Sequence, residues 1–196
     1  MDYNRAVELL GKGEGEKVKE FFRKEDYPLE YAYSLFLTGN LDYAQVILRD
    51  IESTRADWLL KLISAINGCL TEYPTYFQIR NFLEIDISMM LYAGQDEYVQ
   101  KIINISNIYQ SINSETYKCL GRVLLKHNYM NASKAFLDKS LDEYYNDVEL
   151  HYLFVEYYLQ NNDFNNAKKY VENCLKINPD YYPALRTEKL LKTHPL

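Results

Sequence analysis

The chain reads as an all-α protein built as a line of antiparallel helix pairs, and three observations carry that reading. Tyr117, Leu120, Gly121 and Leu124 are matched, on adding 34 to each number, by His151, Phe154, Val155 and Tyr158, and on subtracting 34 by Leu83, Asp86, Ile87 and Met90. A period of about 34 residues is that of a helix–turn–helix unit, and stacked units form arrays with extended recognition surfaces. The chain has only 7 Gly and 5 Pro in 196 residues, which argues against long loops and against an all-β architecture. Helix-period patterning runs almost without interruption. All five prolines (Pro28, Pro74, Pro179, Pro183 and Pro195) stand where a helix should start or stop.

Twelve helices follow in order. The first, 2–11, carries Ala6, Val7, Leu9 and Leu10 and ends in the run from Gly11 to Gly15. The second, 14–24, presents Val18, Phe21 and Phe22. Helix 28–38 opens on Pro28 and stops at Gly39-Asn40. Helix 41–53 follows, with Ala44 and Leu48 on one face. Helix 56–70, around Trp58, Leu59 and Leu60, has no obvious place in the pairing. Helix 75–93 lies between Pro74 and Gly94, and 95–109 carries Val99 and Ile103. Helices 114–127 and 129–143 meet at His127-Asn128, and 148–161 and 163–177 meet at Asn161-Asn162. The last helix is 181–193. Gly and Asn accept the left-handed conformation that such turns need. The small–large pair that lets two helices approach reads as Ala132 with Phe136 and as Ala167 with Val171. That pairing exceeds the repeat period by one, so a one-residue insertion is expected there.

Composition narrows the function classes. Against 22 Lys and Arg stand 28 Asp and Glu, a net charge of −6, which leaves no footprint for nucleic acid or anionic membrane. Cys69, Cys119 and Cys174 are scattered, with no CxxC pair, which favours a reducing compartment over disulfides or zinc. The N-terminal residues have no basic, then apolar pattern, and no apolar run approaches ~20 residues. An intracellular place, cytoplasm or nucleus, is expected, and the Asn104 and Asn131 sequons are read as chance. Tyrosine, at 20 residues, has two readings: a binding face, or filler of the seams between helices.

The run Gly11-Lys12-Gly13-Glu14-Gly15 lacks a phosphate-loop spacing and a preceding strand, so it reads as a turn. His127, His151 and His194 lie far apart with no carboxylate at ligand spacing, and His151 stands at a packing position. Cys119 and Cys174 fall on packing faces as small hydrophobes. No nucleophile–base constellation is readable. No enzymatic activity, cofactor, metal or small-molecule substrate is expected, and the expected partner is protein.

Residues 80–180 resemble the tetratricopeptide repeat. The signature W-x2-L-G-x2-Y…A-x3-F…P is approached by Tyr117, Leu120, Gly121, Leu124, Ala132 and Phe136, and again by Phe154, Tyr158, Ala167 and Pro179. His151 and Val155 depart from it. The resemblance implies a right-handed superhelical solenoid over 1–196, with regular repeats at 80–180, irregular ones at 1–70, and 181–196 as a cap or the start of a further repeat. More narrowly, residues 1–70, through the run from Tyr31 to Ala44 and the helix of Trp58, look like the N-terminal part of the tetratricopeptide subunits of the anaphase-promoting complex. That resemblance implies a homodimerising scaffold of a ubiquitin ligase acting in the cell cycle. A monomeric bacterial adaptor with a peptide groove, and a regulatory solenoid attached to a catalytic domain elsewhere, are the other expectations.

Two surfaces follow. The inward face of the first helices should carry Glu84 and Ser88, then Lys118 and Arg122, then Tyr152 and Glu156, then Arg186. Lys118 and Arg122, four apart, point the same way and could hold a carboxylate of a partner. Tetratricopeptide domains that clamp chaperone C-termini place asparagines where this chain has Arg122 and Glu156, which argues against that clamp. The excess of apolar residues near the N-terminus makes Leu9, Leu10, Phe21, Phe36 and Trp58 the candidates for self-association.

Overall fold

A computed structural model describes residues 1–23 and 25–193, so His194 and Pro195 lie outside the described residues. Among the described residues there are thirteen α-helices and no strand. The chain divides after Thr116 into two compact units. The first holds α1 (Tyr3–Gly11), α2 (Gly15–Val18), α3 (Pro28–Leu37), α4 (Leu41–Leu48), α5 (Thr54–Ile66), α6 (Tyr76–Tyr92), α7 (Asp96–Asn104) and α8 (Ser106–Ile112). The second holds α9 (Thr116–Lys126), α10 (Met130–Glu143), α11 (Val148–Gln160), α12 (Phe164–Ile177) and α13 (Tyr182–Thr193).

Local chemistry sets the ends of these helices. Asp2, Ser53, Asp147 and Asp163 cap α1, α5, α11 and α12 through side-chain oxygens that accept otherwise unpaired backbone N–H groups. Thr75 and Gln78 form a reciprocal capping box at α6. Gly13, Gly39, Gly68, Gly94, Asn128 and Asn162 all take positive φ in the turns. Two expected helices are corrected. The second is only four residues long. The helix expected over 95–109 is two, broken at Ile105 with φ −106° and ψ 11°, amid the β-branched residues Ile102, Ile103 and Ile105, which hold helical geometry less well. Beyond the break Tyr109 is fully buried, its ring centroid 6.3 Å from Trp58.

The helix of Trp58 is the centre of the first unit. α5 packs against α4, α6 and α7, and Trp58, Leu59, Leu62 and Ile63 are all fully buried. This overturns the assignment of Phe36, Trp58 and Leu10 to a self-association surface: Phe36 and Trp58 are 0% exposed and Leu10 is 5% exposed. The reason is packing on several sides at once. α3 is held by α1, α2 and α4, so Leu35, Phe36 and Leu37 all find partners within the chain. Phe21 is half-buried against Phe22 and Tyr27, and Leu9 is half-buried.

A buried charge sits in this core. Asp86 occupies the repeat position filled by Leu120 and Phe154 in the later units, and is likewise fully buried. Its carboxylate accepts from Arg55 at 2.5 Å, from the Trp58 indole at 2.5 Å and from the Tyr33 hydroxyl at 3.3 Å. The Arg55 guanidinium lies over the rings of Tyr33 and Phe82, at 4.8 and 4.4 Å. At the other side of the unit, the turn at Gly13 meets the end of α6 backbone to backbone. A Cβ at Gly13 would lie 2.4 Å from the amide nitrogen of Ala93.

In the second unit the seam keeps the repeat period strictly, which corrects the expected insertion. Ser133, not Ala132, is the small buried residue of α10, and Leu137 is its large companion. They stand one period before Ala167 and Val171, both fully buried. The Ser133 hydroxyl donates to the Gly121 carbonyl at 2.8 Å, so a polar residue fills a seam position by satisfying its own hydroxyl. Ala132 is only half-buried. Phe154, Tyr158 and Tyr170 stack along the next seam, with Phe154 and Tyr170 at 4.7 Å and 17°. Tyrosine therefore fills seams here, while others such as Tyr73 and Tyr182 are well exposed. The register also changes character at the end. The positions of Phe154, Val155 and Tyr158 are taken in α13 by Glu188, Lys189 and Lys192.

Candidate functional site

Four of the expected inward residues fall on α9 and α11, and Arg186 on α13. α9 presents Lys118 and Arg122 one turn apart. The carboxylates they hold are the chain's own. The Lys118 ammonium lies 2.7 Å from Asp147 and 3.2 Å from Glu149, and Arg122 pairs with the other oxygen of Glu149. Lys118 is 5% exposed, so it is a buried strut rather than an open hook. A third of the Arg122 side chain remains accessible.

Asp147 joins this network to the backbone. One carboxylate oxygen accepts from the N–H groups of Glu149 and Leu150 as the cap of α11, and the other takes Lys118. Burial works to raise the Asp147 pKa, but Lys118 and the two amides outweigh it and hold the carboxyl below its ordinary range. The start of α11 is thereby tied to the first turn of α9 by a charge-assisted bond.

Beyond the network the face becomes aromatic and mixed in charge. The Tyr152 hydroxyl shares a hydrogen bond of 3.2 Å with Thr187 of α13, and its ring meets that of Tyr181 edge to face at 5.7 Å. The Glu156 carboxyl is raised by the protein that displaces part of its water, and the nearby Arg122 pulls it back. The Tyr181 hydroxyl is raised by burial and further by the negative charge of Glu149 and Glu156. Glu149, Tyr152, Glu156, Tyr181 and Arg122 thus sense one another. Arg186 is exposed on α13. Glu84 and Ser88 stand half-buried on α6, in the first unit.

Such a face can hydrogen-bond and stack against a polypeptide, with both signs of charge available. Sequence reasoning missed Asp147 and Glu149, which neutralise the two cations. An Asp-x-Glu at the start of a helix, a little less than one repeat after a lysine, was the signal that could have found them. The histidines stay apart. His127 is half-buried, and burial lowers its pKa. His151 is fully buried, with Nε2 2.7 Å from the Tyr145 carbonyl and its ring against Tyr145 and Tyr170. Cys174 is buried and its thiol is pushed up to about 12 by burial. Among the described residues no group of three or more His, Cys, Asp and Glu could hold a metal ion, and no helix is long and apolar enough to cross a membrane.

Residues 148–181 match the model of the tetratricopeptide repeat. Searches of curated proteins and of solved structures found no match. The matched segment holds α11, the left-handed turn at Asn162, and α12, the most regular pair in the chain. This helix pair, whose seam is repeated at the same spacing by Gly121, Ser133 and Leu137 one unit earlier, is what the chain shares with the tetratricopeptide-repeat family.

Proposed function

We propose that the chain is a non-catalytic scaffold that recognises an extended segment of a partner protein on the face built by Arg122, Tyr152, Glu156 and Arg186. The tetratricopeptide repeat is typically a protein-binding fold without chemistry of its own, which supports the coarse reading. The single observation that carries the finer one is the Lys118–Asp147–Glu149–Arg122 network. It fixes α9 against α11 before any partner arrives, so the side chains beside it are pre-ordered, and ordering cost is what weakens most recognition surfaces. Because the two cations already hold carboxylates, the face selects a segment of mixed charge with hydrogen-bonding groups for Tyr152, not a purely acidic tail.

The place of action in this reading is intracellular, with a protein and neither nucleic acid nor membrane as partner, in keeping with the net charge of −6. Membership in an anaphase-promoting-complex-like assembly rests on the resemblance of residues 1–70, through the run from Tyr31 to Ala44 and the helix of Trp58. The peptide-binding adaptor is favoured over it by the burial of Phe36 and Trp58, which removes the main surface for self-association.

The test is affinity capture with the intact chain, followed by the Glu156→Lys, Arg186→Glu double variant. Both residues are exposed, so the variant should keep its far-ultraviolet spectrum and melting temperature. Partners retained by the native chain and lost by the variant would support the face. Retention of every partner at unchanged affinity would refute it.

A further inference from the structure

Glu149, Tyr152 and Glu156 fall within an arc of about 60° on α11, at 100° per residue. The two carboxylates on that arc differ in what surrounds them. Glu149 is neutralised by Lys118 and Arg122. Glu156 is exposed and, among the described residues, receives no hydrogen bond. The charge of Arg122 reaches it, yet the protein around it displaces enough water to keep its carboxyl above the ordinary range. A carboxylate in that condition gains from a cation that also donates hydrogen bonds.

Two rings stand beside it. Tyr152 and Tyr181 are half-buried, and both pack on the cluster of Val155, Val171, Cys174 and Ala184. The Tyr152 hydroxyl is fixed by Thr187, which is buried. The rings meet at 5.7 Å and 72°, so they form a rigid corner with part of each ring still open. The face of an aromatic ring is negative and attracts cations. Glu149 and Glu156 both raise the Tyr181 hydroxyl, which places that ring in their combined field.

The same combination already holds a cation inside this chain. The Arg55 guanidinium lies over the rings of Tyr33 and Phe82 while it pairs with Asp86. Two rings and a carboxylate recur at Tyr152, Tyr181 and Glu156, where the carboxylate is bonded to no guanidinium of the described chain. Arginine fits such a corner better than lysine. A planar guanidinium lies on a ring and still turns its N–H edge to a carboxylate, whereas an ammonium is a compact, strongly hydrated point charge.

We propose that the corner of Tyr152, Tyr181 and Glu156 binds an arginine side chain of the partner segment. This rests on the reading that the face of α9, α11 and α13 meets that segment, and it names the basic member of the segment's mixed charge. The probe is the blocked pentapeptide acetyl-Gly-Ser-Arg-Ser-Gly-amide, titrated into the intact chain and followed by nuclear magnetic resonance. Versions with lysine and with citrulline, the uncharged isostere, replace the arginine. The arginine peptide should give saturable shifts at the rings of Tyr152 and Tyr181 and at the Glu156 carboxyl. Citrulline should bind about tenfold more weakly, and lysine about threefold. Glu156→Gln, an exposed change of equal shape, should weaken the arginine peptide by about tenfold with the melting temperature unchanged. Tyr181→Leu keeps apolar packing on Ala184, removes a ring, and should weaken it too. Shifts centred elsewhere, equal affinity for citrulline or for lysine, or unchanged affinity in Glu156→Gln would each overturn the proposal. If partners are captured through this face but the arginine peptide does not bind, the proposal fails and the face stands. Binding of the arginine peptide with no partner captured supports the corner and refutes the wider reading.

Discussion

Trp58 donates its indole N–H to the Asp86 carboxylate at 2.5 Å, across two helices whose residues here lie 28 apart in sequence. That bond explains why a carboxylate can occupy a core position. Asp86 has Arg55, Trp58 and Tyr33 around it, so its charge is paired and its oxygens are satisfied. Asp86→Ala should therefore destabilise the first unit by about 3–5 kcal/mol, because the Arg55 guanidinium is left without its counter-charge. Trp58→Phe keeps most of the packing and removes one donor, and should cost a smaller ~1–3 kcal/mol. Urea denaturation of both variants checks the order, and an Asp86→Ala chain as stable as the native one would remove the cluster from any structural role.

The same carboxyl sets a pH dependence of definite sign. Burial pushes Asp86 up to about 6, against the attraction of Arg55 and its other donors, while the ordinary value is 3.8. Between those values the folded chain binds the proton and the unfolded chain does not. The contribution of Asp86 to stability thus grows as pH falls through about 6, by at most ~1.4 kcal/mol per pH unit. Comparing the native chain with Asp86→Asn at pH 7 and pH 5 isolates it. The native chain should gain relative to the variant at the lower pH, and a relative loss would reverse the assignment.

Asp147 behaves the other way. Its folded value is held below the ordinary range, so its share of stability is present at neutral pH and is lost as pH falls below that range. Lys118→Met should remove most of that dependence. It should also cost about 1–3 kcal/mol at pH 7, since Asp147 and Glu149 lose a charge-assisted partner. A Lys118→Met chain that keeps the native acid limb in its stability profile would show that Asp147 draws its shift from the amides alone.

Close approach gives two further expectations. A Cβ at Gly121 would lie 2.6 Å from a methyl of Leu137, so Gly121→Ala should overpack the α9–α10 seam and cost roughly 1–3 kcal/mol. Ala167→Leu, in the seam of the next unit, should cost a similar amount. Melting temperatures unchanged in both would mean that the seam is laid elsewhere.

Gly13→Ala should be at least as damaging. Gly13 combines φ +75° with a Cβ position 2.4 Å from backbone, where no side-chain rotation gives relief. A chain carrying this change that melts with the native one would contradict the contact.

The helices were legible because Gly, Pro and Asn mark their ends and the apolar period marks their faces. Pro28, Pro74 and the turns at Gly39, Gly94, Asn128 and Asn162 all stand where expected. The seam register was misread where composition misled. Ala132 looked like the small seam residue, while Ser133 holds that place because its hydroxyl finds the Gly121 carbonyl, a bond no pattern of apolar residues can show. Apolar excess near the N-terminus was visible, but its destination was not. Whether Phe36 and Trp58 face a partner or one another's helices depends on contacts between segments far apart in sequence, such as α5 on α7. For the candidate site the residue types were right in part. Lys118 and Arg122 do bind carboxylates, but those of Asp147 and Glu149.

The meeting of Gly13 with Ala93 has a bearing on how the chain acquires its shape. A repeat array ordinarily folds from neighbour to neighbour, each unit nucleating the next. Here the turn after α1 is completed only by the far end of α6, and the Tyr33–Asp86 and Leu37–Gln95 bonds also join distant parts of the chain. Long-range closures of this kind slow folding, since chain entropy is lost before the contacts form. During synthesis, α1 to α4 leave the ribosome well before α6 and α7 exist, with Tyr33 still lacking Asp86 and Phe36 still lacking the ring of Tyr98. The second unit, whose helices pack on their immediate neighbours, faces no such delay. The N-terminal half is therefore the part of this molecule whose maturation depends most on protection from aggregation while it waits.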